Sequence, residues 1–278
     1  MRLVTVRDGV ATHAGRVDGD VVTLLPFADV GALVAEAGWH DIAAGADTGT
    51  TALGTIALVD ADLAPVVPRP PKIMCLGLNY MRHIREMGRE PPEFPTMFAK
   101  YTSALIGARD DITLPRVSEM MDWEVELGVV IGTPGRDIPV ERALDHVAGY
   151  TVVNDITARD WQRRTTQFLQ GKTFEATTPV GPWLVTPDAL PVGGSGLAVR
   201  CEVDGVVMQD DNTDELIFDV ATTIAYLSQI MTLQSGDLIA TGTPEGVGAG
   251  RTPPVFLQPG QTVRTVIEGI GELVNRCT

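Results

Sequence analysis

Glu124 and Glu126 lie two residues apart in Asp122-Trp123-Glu124-Val125-Glu126-Leu127-Gly128-Val129-Val130-Ile131. The apolar, β-branched surroundings predict a strand over Trp123–Ile131. Strand side chains alternate faces, so both carboxylates project to the same side. On a helix they would stand about 200° apart. Two carboxylates beside an apolar run repel each other and lose hydration, and a divalent cation relieves both costs. Oxygen ligands with no nearby His or Cys favour Mg²⁺ or Mn²⁺ over zinc, with Ca²⁺ as a structural substitute. The same pattern also fits a strand whose paired glutamates simply face water. Asp155, at the end of the apolar run Thr151-Val152-Val153-Asn154, is a third candidate ligand, and a turn or helix cap is its other role.

Further residues are spaced for chemistry. His83 and Glu86 are three apart in a segment of helical composition, residues 80–88, so they share a face. A carboxylate beside an imidazole orients it and raises its basicity, which suits a general base near neutral pH. With Arg82, Arg85 and Arg89 nearby, a solvated ion-pair face is the alternative. Arg159 and Gln162 have the same spacing, and Lys172 stands alone between Gly171 and Thr173. Both features also fit ordinary solvated surface.

The elements that must position these residues are mostly strands. Asp8-Gly9 and Asp18-Gly19 separate short β-branched runs and predict hairpin turns. A short helix is expected over Ala32–Ala46, then a loop over Gly45–Thr55. Residues 65–71 hold four prolines and read as a linker. They divide a small N-terminal unit, 1–64, from a catalytic unit, 72–278. In the latter, strands are expected at Ile73–Leu76, Gly149–Val153, within Leu197–Val207 around an Asp204-Gly205 turn, at Asp237–Thr241 and at Thr262–Ile267. Asp219 caps an apolar helix running to about Met231. Without regular βαβ alternation, a doubly wound sheet or TIM barrel is disfavoured, and the fold class expected is α+β, mostly β.

Composition narrows the function. The 278 residues carry 36 Asp and Glu against 21 Lys and Arg, a formal charge of −15, which disfavours nucleic-acid and anionic-membrane partners. Three widely spaced cysteines and no C-x-x-C argue against a disulfide scaffold or a cysteine zinc site. No signal-type leader or membrane-length apolar run occurs, so a cytoplasmic protein is expected. The P-loop, dinucleotide-loop, nucleophile-elbow and H-E-x-x-H patterns all fail on inspection.

From Lys72 onward the chain resembles the fumarylacetoacetate hydrolase superfamily, in particular its bacterial acylpyruvase and fumarylpyruvate hydrolase-like branch. The resemblance rests, in order, on Cys75-Leu76-Gly77-Leu78-Asn79-Tyr80 with His83 and Glu86, then Trp123 to Gly128, then Asn154-Asp155-Ile156-Thr157-Ala158-Arg159-Asp160-Trp161-Gln162. It continues through Gly171-Lys172-Thr173-Phe174, Pro179-Val180-Gly181-Pro182-Trp183, Gly236 to Gly248, and Ile267 to Gly271, which resembles a closing strand.

The resemblance implies a mixed β-sandwich or β-roll catalytic domain behind a small N-terminal α+β domain, in a homodimer. It implies Mg²⁺ or Mn²⁺ held by Glu124, Glu126 and Asp155, leaving about three of six octahedral positions for water or substrate. His83 and Glu86 would be a catalytic dyad on a segment that orders over the ligand, with Lys172 stabilising a developing enolate. Arg159, Gln162 and Thr243 would bind the substrate carboxylate, and Tyr80 would line the pocket. The implied activity is hydrolysis of a C–C bond in an acylpyruvate such as fumarylpyruvate or acetylpyruvate, releasing pyruvate, in aromatic-compound catabolism. Oxaloacetate-type decarboxylation, isomerisation or decarboxylation of 2-hydroxyhepta-2,4-diene-1,7-dioate, and non-catalytic binding of a 2-oxo acid are the alternatives. The three carboxylates are offset by a divalent ion and by Arg159 and Lys172, so a small anionic substrate meets a local charge of about +1.

Overall fold

The run that follows Glu124 forms the strand Val125–Ile131, buried along its whole length near the middle of a large sheet. The structure, a computed structural model, describes residues 1–46 and 49–278. Val125–Ile131 pairs antiparallel with Val147–Asn154 on one side and with Leu238–Ala240 on the other. Beyond Leu238–Ala240 lie Ile73–Gly77 and Thr96–Ala99; beyond Val147–Asn154 lie Thr178–Val185 and then four N-terminal strands. A second sheet has four strands in the order Val206–Asn212, Ala198–Val203, Thr262–Ile267 and Gly271–Arg276.

Period-two alternation sorts the central strand's side chains. Val125, Leu127, Val129 and Ile131 pack in one core with Val199, Cys201, Val203, Val263 and Ile267 of the small sheet. Val130 faces the other way, into a core with Cys75, Ala240, Val30 and Leu33. The architecture is α+β and mostly β, as the sequence pattern predicts. Asp219 caps the helix Val220–Ile230 by accepting from the Thr222 amide, and its apolar face enters the first core.

Both predicted N-terminal turns form: Arg2–Asp8, Ala11–Asp18 and Val21–Leu24 pair in sequence, with Gly9 and Gly19 at φ of 60° and 59°. The single helix expected over Ala32–Ala46 is two, Val30–Val34 and Trp39–Ala44, because Gly38 takes a left-handed φ of 73°. In the expected loop after it, the strand Gly54–Ala57 begins, and Asp47 and Thr48 lie outside the described residues. The proline-rich run is packed: Pro65, Val66 and Val67 are buried, and Thr5 Oγ1 donates to the Val66 carbonyl at 2.7 Å. Arg2–Asp8 also pairs with Thr178–Val185, so the N-terminal strands continue the large sheet.

Two strand expectations need correction. Trp123 and Glu124 lie outside the central strand, and the preceding Met121–Asp122 pairs instead with Thr157–Ala158. The break lets the Trp123 indole N–H reach the Gly246 carbonyl at 3.1 Å. Near the C-terminus, residues 268–270 are a turn with Gly269 at φ 72°, leading into the strand Gly271–Arg276. Exposed Glu272 and Val274 alternate there with buried Leu273 and Asn275, the period-two pattern of a half-buried strand.

Among the described residues no helix is long and apolar enough to cross a membrane. Cys75, Cys201 and Cys277 are free and buried, and burial pushes all three thiols above their usual range. A colorimetric thiol titration is therefore expected to find none reactive in the native protein and all three after unfolding.

Candidate metal centre and active site

Strand register assembles the carboxylates. Val153 stands opposite Glu126 and Asn154 opposite Val125, and the Asp155 amide donates to the Glu124 carbonyl at 2.9 Å. Glu124 and Asp155 thus face each other one step beyond the ladder, with Glu126 beside them. One oxygen from each of the three lies within 4.8 Å of the others, and all three residues are buried. Asn154 fixes the corner by accepting from the Glu124 amide at 3.0 Å and donating to Thr265.

Three buried cations answer this charge. Lys172 Nζ donates to Glu124 Oε2 at 2.6 Å and to Asp155 Oδ2 at 2.7 Å. Lys100 Nζ donates to Asp155 Oδ1 and to the Ile156 carbonyl. Arg159 Nη2 lies 2.7 Å from Glu124 Oε1, a close ion pair. Burial alone would raise the Glu124 pKa, but Lys172 and Arg159 outweigh it and hold the carboxyl below its usual range. Glu126 is the opposite case: burial, then Asp155 and Glu124, push it well above that range. Among the described residues it has no ion-pair partner, and its Oε2 accepts from the Gly242 amide at 2.9 Å. An oxygen-only set with one buried carboxylate lacking a cation fits a hard divalent ion.

The His83 wall is built by a short helix, Met81–Glu86. His83 Nδ1 is 2.9 Å from Glu86 Oε2, and Glu86 Oε1 accepts from the Gly246 amide at 2.9 Å. A Cβ on Gly250 would sit 2.4 Å from the Glu86 carboxyl carbon, so the glycine-rich loop must stay bare to seat this residue. His83, Glu124, Glu126, Arg159, Gln162, Lys172 and Thr243 all line one cavity of about 670 Å³. Glu86 and Asp155 support it from behind through His83, Lys172 and Glu124. Gln162 accepts from Arg159 Nη1 at 3.1 Å, and Thr243 Oγ1 accepts from Gln209 Nε2 at 2.8 Å. Tyr80, expected to line the pocket, does not. It precedes the helix with extended backbone (φ −124°, ψ 129°), so it does not share His83's face, and its ring is fully buried.

A family model described as fumarylacetoacetate (FAA) hydrolase C-terminal matches residues 72–278. The chain belongs to the fumarylacetoacetate hydrolase family. It is 47% identical over 216 residues to a Bos taurus protein named oxaloacetate tautomerase FAHD2A, mitochondrial, covering 77% of this chain and 68% of that protein. A solved Mycobacterium smegmatis structure described as an HpcE protein has a TM-score of 0.90 at 38% identity, over 100% of this chain and 99% of the other. Maleylpyruvate hydrolase from Sphingobium sp. SYK-6 has a TM-score of 0.81 at 30% identity, over 100% and 99%.

In this fumarylacetoacetate hydrolase family member, three supporting residues went unassigned in the sequence reading. Lys100 is one. Asp122 is another, accepting from Arg159 Nε at 2.7 Å and from the Gly248 and Ala249 amides at 2.6 and 2.9 Å. Gln209 is the third, bridging the Val125 amide to Thr243 and Pro244. Asp122 stands beside the E-x-E segment, where its proximity was the available signal. Lys100 and Gln209 sit in unremarked strand-edge contexts and reach the site only through the fold.

Asp122→Ala leaves the buried Arg159 guanidinium with Glu124 but without the acceptor of its Nε, and strips the Gly248 and Ala249 amides of theirs, so denaturant unfolding should show a loss of about 3–5 kcal/mol. Metal binding is tested by melting temperature. Mn²⁺ at about 100 times its dissociation constant should stabilise the parent protein by about 2.7 kcal/mol. Glu126→Gln should raise the metal-free melting temperature by about 2–4 °C, because it removes a disfavoured buried charge, and should blunt the Mn²⁺ response.

Proposed function

We propose that this chain is a metal-dependent enzyme acting on 2-oxo acids through an enolate, and that it hydrolyses the C–C bond of an acylpyruvate to release pyruvate. The observation that carries this reading is the His83–Glu86 dyad, anchored on the Gly246 amide and facing the same cavity as the carboxylate cluster and Lys172. A divalent ion held by Glu124, Glu126 and Asp155 would supply Lewis-acid polarisation of the 2-oxo acid end. Arg159, fixed by Asp122, orients the substrate carboxylate, assisted by Gln162 and Thr243. His83 takes a proton from water as the oxygen adds to the distal carbonyl carbon, and Glu86 stabilises the resulting imidazolium. The bond between that carbon and the adjacent methylene breaks, its electron pair leaves as pyruvate enolate, and the His83 imidazolium returns its proton to the enolate carbon, completing pyruvate and restoring the base. The buried Lys172 ammonium, kept charged by Asp155 and Glu124, stabilises the negative charge.

A second reading is keto–enol interconversion of oxaloacetate at the same residues, favoured by the 47% identity to the bovine tautomerase. It needs only the His83 proton transfer and no attacking water. Purified protein assayed on fumarylpyruvate, acetylpyruvate and oxaloacetate, each with Mg²⁺ and with EDTA, separates the two. Acylpyruvate cleavage that EDTA abolishes supports the hydrolase. Oxaloacetate interconversion with untouched acylpyruvates moves the assignment to the tautomerase. Under either chemistry His83→Ala should lower kcat by about 10²–10⁴-fold.

A further inference from the structure

Arg89, Arg163 and Arg164 line the same cavity and are exposed to it. Among the described residues no carboxylate pairs with any of them, so their charge is not neutralised locally as that of Arg159, in the same cavity, is. What sets these three apart from the chain's other unpaired arginines is that they gather around one opening, in a chain with 36 acidic residues against 21 basic ones, and that placement needs a reason. Packing supplies part of it: the Arg164 guanidinium lies 3.5 Å from the Trp161 ring centroid, so stacking holds it without neutralising it. Arg163 directly follows the helix Arg159–Gln162, and Arg89 follows the helix carrying His83. The positive charge therefore comes from two separate segments, and Leu78, Met87, Phe98 and Phe168 supply apolar lining to the same space.

We infer that Arg89, Arg163 and Arg164 form a second anion subsite, which takes the distal carboxylate of a 2-oxo dicarboxylic acid. The assignment of which end goes where rests on the proposed function, in which the 2-oxo acid end occupies the carboxylate cluster. Planar guanidinium forks suit a carboxylate, and an anion shared by the two segments ties the His83 helix to the Arg159 helix across the substrate. Monocarboxylic 2-oxo acids lack that tie.

Calorimetric titration of the Mg²⁺-supplemented protein tests this with 2-oxoglutarate and 2-oxopentanoate, which differ only in replacing the distal carboxylate by a methyl group. Neither has a second carbonyl placed for cleavage, so binding is read without turnover. The parent protein should prefer 2-oxoglutarate by about tenfold or more. Arg163→Gln combined with Arg164→Gln should bring the ratio close to one, while Arg200→Gln, which removes one exposed charge elsewhere, should leave it as in the parent. A parent ratio near one, a ratio that survives the double substitution, or an equal fall in Arg200→Gln overturns the subsite. If the ratio behaves as expected while acylpyruvates and oxaloacetate are not turned over, the proposed function fails and the subsite stands.

Discussion

Three carboxylates buried within 4.8 Å of one another are the constraint that the rest of the site answers. Like charges in a dry, low-dielectric setting cannot persist unpaired. The fold meets this in layers: Lys172 and Lys100 clasp Asp155, Lys172 and Arg159 flank Glu124, and the Gly242 amide meets Glu126. Each of these partners comes from a different part of the chain. Antiparallel register between Val125–Ile131 and Val147–Asn154 makes the cluster, and the neighbouring strand Leu238–Ala240 delivers Gly242 to it. A one-residue slip in that register would send Glu126 to the opposite face, into the apolar core shared with the small sheet.

Much of this was legible because it is local. E-x-E in strand surroundings, Asp155 at the end of an apolar run and the i,i+3 pair His83–Glu86 each express a short-range period that backbone geometry converts directly into placement. Asp219 as a helix cap and the two Asp-Gly turns are legible for the same reason. What escaped was set by long-range contacts. Lys100 meets Asp155 across 55 residues and Gln209 meets Thr243 across 34, and neither has a sequence neighbour that betrays its partner. Tyr80 failed in the other direction: it adjoins the helix but keeps extended backbone, so proximity in sequence did not carry its ring to the cavity.

The charge balance of the site is robust to these omissions. Lys100 adds one positive charge and Asp122 one negative charge, so the local sum with a divalent ion is the same as that from the five residues read first. The two additions act differently, however. Lys100 bears on the carboxylates, while Asp122 accepts from Arg159, from the loop amides of Gly248 and Ala249 and from the Trp123 amide. The glycine-rich loop is thereby tied to Arg159 through Asp122 and to His83 through Glu86.

The pairing of Arg2–Asp8 with Thr178–Val185 has a consequence for the molecule's margins. Thr178–Val185 begins six residues after Lys172 and is almost entirely buried. Without the N-terminal strands, part of its hydrogen-bonding edge would be open, an apolar rim able to recruit another chain. The N-terminal strands then serve as a fender for the sheet they extend. Their hairpins move the exposed rim outward to Gly54–Ala57, a four-residue strand at the far end of the sheet, too short to template much.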